Sequence, residues 1–134
     1  MNLVDGVVQL LQGVEGLAQV IPNAAELPNQ SPAAMVDLKV MREDEPEEMG
    51  PDQPAIYNIV GVVLAVKYGH DNEASAARDT LVGLVRAAWA VLRQDPTLGG
   101  ACLSSRVRPA EFGYHKMGGG NWAGAVLLIH CLEE

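Results

Sequence analysis

Leu3, Val7, Leu10, Leu11 and Val14 recur at spacings of three and four, so residues 2–13 are predicted to form a short amphipathic helix with Asp5 in its first turn. Gly13 and Gly16 end it. The apolar run Leu17 to Ile21 reads as a strand, and the polar stretch through Pro32, in which Pro28 and Pro32 disfavour helix, as a loop. From Ala34 to Arg42 the period changes to two. Val36, Leu38 and Val40 alternate there with Asp37, Lys39 and Met41, as in a half-buried strand. Residues 55–70, AIYNIVGVVLAVKYGH, form the longest β-type run. Ile56, Val60, Val62, Leu64, Val66 and Tyr68 share one face of it, and Tyr57, Ile59, Gly61, Val63 and Ala65 the other. A strand apolar on both sides belongs in the middle of a sheet covered on both faces, and in a short chain one cover can come from another subunit.

Next, His70, Asp71 and Asn72 supply a turn and a helix cap. Ala77, Leu81, Leu84, Val85, Ala88, Trp89 and Leu92 then make a helical stripe opposed by Arg78, Asp79, Arg86 and Arg93. Pro96 stops this helix, and Gly99 and Gly100 allow the chain to reverse. Cys102 to Phe112 is expected to be one strand of mixed polarity, with Arg106 and Arg108 on one face and Val107 on the other. The glycine-rich turn HKMGGGN and a final apolar strand from Trp122 to Leu132 complete a hairpin. Strands joined mostly by turns, with little strand–helix alternation, predict an α+β fold: a mostly antiparallel sheet with two helices packed on one face, in a single domain spanning 1–134. No internal repeat is evident.

Composition sharpens this picture. The 134 residues are 49% apolar and only 4% aromatic, so the core must be aliphatic. A formal net charge of −8 argues against stable binding to a nucleic-acid backbone, which depends on Lys and Arg displacing counterions. Six of the acids, Glu43, Asp44, Glu45, Glu47, Glu48 and Asp52, crowd residues 43–54 together with three prolines and a glycine, and this segment is expected to be an exposed acidic loop, solvated or docked on a partner. Two cysteines, Cys102 and Cys131, are too few for a disulfide scaffold and are expected to be reduced. The N-terminus lacks the basic region of a signal peptide, and no apolar run approaches the roughly 20 residues of a membrane helix.

No constellation of catalytic, metal-binding or cofactor-binding residues stands out. Gly118, Gly119 and Gly120 precede a β-run and not the helix N-terminus that a phosphate loop requires, so they read as a hairpin turn. His70, His115, His130 and the cysteines lack the short spacings of zinc ligands. Cys102, Ser104 and Ser105 have no nucleophile elbow around them, and the clustered carboxylates sit where they stay ionised. No enzymatic activity, cofactor or metal is therefore expected. Arg78, Arg86 and Arg93 on the helix, and Arg106 and Arg108 on the strand, fit salt bridges to a neighbouring subunit or a solvated face better than nucleic-acid contacts in so acidic a chain.

The element order, with a helix ending in Ala-Val-Leu-Arg-Gln-Asp-Pro-Thr-Leu-Gly-Gly (90–100) before a Val-Arg-containing strand and a final apolar strand, resembles bacteriophage tail terminator proteins, also called tail-completion or neck proteins. The resemblance implies a non-catalytic virion subunit, assembled in the host cytoplasm, that forms a ring, typically hexameric. Such a ring caps the tail tube protein and meets the head–tail connector, while genomic DNA passes through without specific binding. It also implies two contact regions: the acidic loop from Glu43 to Asp52, and the strand from Ala55 to Tyr68, with Tyr57, Ile59 and Val63 on one face. Alternatives are another neck or tail component, or a small oligomeric ligand-binding regulatory module with its pocket between sheet and helix.

Overall fold

In a computed structural model the chain is described at residues 2–22, 26–44, 55–69 and 71–133. The first helix, α1 (Leu3–Leu11), begins where Asn2 Oδ1 accepts the Asp5 N–H at 2.8 Å, a side-chain cap that satisfies one of the donors a helix start leaves open. Strands β1 (Gln19–Ile21), β2 (Ala33–Asp44) and β3 (Ala55–Tyr68) precede the long helix α2 (Asp71–Gln94). They are followed by β4 (Ser104–Val107), β5 (Glu111–Met117) and β6 (Gly120–Glu133).

The strands form one sheet in the order β1-β2-β3-β6-β4, with β5 also paired to β6. Only the β1–β2 pair is parallel. The fold is thus the α+β arrangement that the hydrophobic periods predict. Both helices pack on one face, where Val7 and Leu11 of α1 and Leu81, Val85, Ala88 and Leu92 of α2 meet Val60, Val62 and Leu64 of β3 and Ala125, Leu127 and Ile129 of β6. Each large side chain so buried contributes about 1.5–3 kcal/mol relative to exposure. The stripe predicted for α2 is buried throughout except at Trp89, which is partly covered by the Arg93 guanidinium at 5.0 Å from its ring.

Four details differ from the sequence expectation. The pairing register shifts between Leu38 and Val40, so Lys39 is an extra residue and the simple Val36–Leu38–Val40 alternation is interrupted. Glu43 and Asp44, assigned to the acidic loop, extend β2 and pair with Ile56 and Ala55, because the ladder with β3 continues through them; the rest of that loop lies outside the described residues. The single strand expected from Cys102 to Phe112 is two strands interrupted around Pro109, which has no N–H to offer β6. Among the described residues the double cover expected for β3 is complete on the helix side only. On the outer face a small cluster of Ile21, Met35, Ala65 and Trp122 closes one end, with Trp122 Nε1 donating to the Met117 carbonyl at 3.3 Å.

The hairpin reading of the glycine run holds: Gly118 (φ 55°) and Gly119 (φ 80°) are both left-handed between β5 and β6, as a type I′ turn requires.

Candidate functional site

The outer face of the sheet is the first candidate surface. Pleating places alternate residues of β3 and β6 on it, and Val63 stands directly opposite Val126 and Gly61 opposite Leu128. Ile59, Val63 and Val126 are half-buried, and Leu128 is 36% exposed, so an apolar strip two strands wide stays open beyond the Trp122 cluster. Of the interface residues expected from the sequence, Ile59 and Val63 lie on this strip. Arg106 borders it opposite His130, and the Arg108 N–H continues the ladder to the Leu128 carbonyl at 2.9 Å.

Glycines shape this face by letting long side chains lie flat on it. The Lys39 stem crosses Gly61, the Lys67 stem crosses Gly120 with its ammonium 6.0 Å from the Trp122 ring, and the His115 ring rests on Gly124. These basic side chains were not singled out as an interface by the sequence. Their signal would have been a basic residue on the outer parity of β2, β3 and β5.

Arg78 and Arg86 lie on the opposite side of the molecule, both exposed, Arg78 at the edge of α2 that faces β5. The expected interface residues therefore divide between two surfaces. Glu43, Asp44 and Tyr57 are placed by backbone pairing at one end of the sheet, whereas Glu45, Glu47, Glu48 and Asp52 lie outside the described residues.

Several concavities among the described residues open on the helix side, one of them of about 350 Å³ between Leu92 and Val107. A cleft of about 530 Å³ is lined by Asn2, Leu3, Val4, Asp5, Pro22, Leu38 and Glu133. A smaller groove of about 230 Å³ runs between α2 and β5, where Phe112 (49% exposed) and Tyr114 (53%) face Arg78 and Leu81. Tyr114 meets Tyr68 edge to face at 6.1 Å. The sequence reading passed over this aromatic pair, although two rings two residues apart in the otherwise polar EFGYHK run were a visible signal.

The remaining chemistry-bearing groups are held apart. The Cys102 thiol donates to the Pro96 carbonyl and the Cys131 thiol to the Ile129 carbonyl, each at 3.6 Å, and both pack with the helix-side core; burial pushes the Cys131 thiol up to about 12 and raises Cys102 as well. His115 lies on the other face of the sheet, so Cys102 and His115 do not form a nucleophile–base pair. Among the described residues no three His, Cys, Asp or Glu side chains come together as metal ligands. No helix among them is long and apolar enough to cross a membrane. Asn58, also missed by the sequence reading, is fully buried on the helix face of β3; its Nδ2 donates to Glu133 Oε2 at 2.9 Å, and its Oδ1 has no hydrogen-bond partner among the described residues.

Comparison of the sequence with known protein families finds no match, and comparison with curated proteins finds none either.

Proposed function

We propose that this chain is a structural subunit of a phage tail that closes into a ring, typically of six copies, as a tail terminator between the tail tube and the head–tail connector. The observation that carries the reading is the apolar strip of Ile59, Val63, Val126 and Leu128 at the middle of the sheet, which the described residues leave partly exposed on the face opposite the helices. Association removes such a strip from water. Support also comes from the division of the expected contact residues between two opposite surfaces, since a ring of identical copies joins one patch to a different one. The role needs no catalytic centre, and a net charge of −8 suits a subunit past which DNA moves without adhering.

The test is mass photometry and negative-stain microscopy of the purified protein, with a pull-down of tail tube protein. Rings that retain the tube protein are the expected result. A protein that stays monomeric at high concentration and ignores the tube overturns the reading. The cleft beside the start of α1 favours a second reading, a small ligand-binding module. A small molecule that raises the melting temperature of the monomer, and loses that effect in Leu38→Trp, would support it.

A further inference from the structure

The outer sheet face is not only apolar. Lys39, Lys67, Arg106 and Arg108 stand on or beside it against Asp37 and Glu111, so its fixed charge is positive in a chain whose total is −8. Two such faces stacked on each other would repel, which disfavours a two-fold, face-to-face dimer. A complementary occupant is acidic, and the densest acidic stretch of the chain is residues 43–52, with six of the 17 acids and no Lys or Arg. We infer that the outer face receives the 43–52 stretch of a second copy, in a head-to-tail contact that uses a different surface on each partner.

Distance argues for a second copy. Asp44 and Ala55 are paired neighbours at one end of the sheet, whereas Lys67 lies 12 residues along β3 toward the other end, about 40 Å away at strand rise. The ten residues between Asp44 and Ala55, tethered at both ends, reach no further than about 18 Å. They can approach Arg106 of their own chain but not Lys67. The contact inferred at Lys67 would therefore have to come from another copy.

The inference rests on the self-assembly reading above, and its test separates the two. Five proteins are compared by sedimentation and mass photometry: the wild type, the single variants Lys67→Glu and Arg106→Glu, a face variant Lys67→Glu/Arg106→Glu that combines them, and a segment variant Glu45→Lys/Glu47→Lys/Glu48→Lys. Each is first shown to melt like the wild type, with Lys67→Gln/Arg106→Gln in place of the face variant if that one is unfolded. At low salt the face variant and the segment variant, each alone, should associate at least tenfold more weakly than the wild type. An equimolar mixture should assemble again, because alternating copies then match a reversed face to a reversed segment and a native face to a native segment. If both variants associate like the wild type, or their mixture gains nothing, this contact is wrong while the ring reading stands. If Arg106→Glu weakens association and Lys67→Glu does not, the stretch covers its own chain and the contact between copies is overturned. A monomeric wild type overturns both.

Discussion

Gly6 and Leu98 show how closely two local structures must fit. A Cβ on Gly6 would collide with the Leu98 carbonyl oxygen, so α1 can approach the turn after α2 only because residue 6 is glycine. Leu98 itself is left-handed (φ 52°) yet fully buried, a conformation that leucine adopts only when its surroundings fix it. Gly6→Ala should therefore cost about 1–3 kcal/mol, and Leu98→Ala about 2–5 kcal/mol, both read as lower denaturant midpoints. Asp95 organises the same turn. The Thr97 hydroxyl, and then the Gly99 N–H, donate to its carboxylate and hold it below its ordinary value of 3.8. A depressed carboxyl stabilises the fold above that ordinary value and ceases to do so as pH falls through the lower folded one. Asp95→Asn should flatten this part of the acid limb of the stability curve, with the difference from wild type vanishing at strongly acidic pH. Asn58→Asp should be more damaging, on the order of 3 kcal/mol in thermal or chemical unfolding, because it places a second carboxylate, fully buried, against Glu133.

Long periodic elements were readable from the sequence, whereas short or irregular ones were not. The α2 stripe and the apolar runs of β3 and β6 each carry enough repeats for the period to stand out, and the structure buries the residues that the period selects. The bulge at Lys39 has no residue signature, because a strand gains an extra residue through its partner's register and not through its own composition. Pairing likewise outweighs local polarity at Glu43 and Asp44. Pro109 was a visible break, but its meaning depends on β6 being the strand that both β4 and β5 must reach. For the surfaces, Ile59, Val63 and Arg106 were legible from parity alone. Asn58 and the Phe112–Tyr114 pair were not, since one hides inside an apolar run and the other spans the end assigned to a single strand. The thiols follow from placement: Cys131, buried in β6 and raised to about 12, should resist iodoacetamide in the native protein at neutral pH and react readily once unfolded. Its protonated form favours the folded state fully below the ordinary thiol value of 9.0, and that contribution fades as pH rises toward about 12.

At the scale of the whole molecule, the sheet separates an ordinary core from a surface that is finished only in part. Leu128→Asp replaces a side chain of the open strip and should change monomer stability by less than about 0.5 kcal/mol, as surface substitutions usually do. It should nevertheless weaken association, measured as a lower mass at equal concentration. The same comparison made at Leu127, which faces the helices, should unfold the protein instead.

The position of β6 also has a consequence in time. It joins β3 on one side to both β4 and β5 on the other, and among the strands it comes last in the chain. While a ribosome is still translating, β4 and β5 have no ladder to join and one edge of β3 is bare. The helix-side core lacks Ala125, Leu127 and Ile129, and the outer strip Val126 and Leu128, until that strand has emerged. If copies associate as proposed, their docking waits for β6, and a nascent chain arrested before Gly120 should be more open to protease than the full sequence.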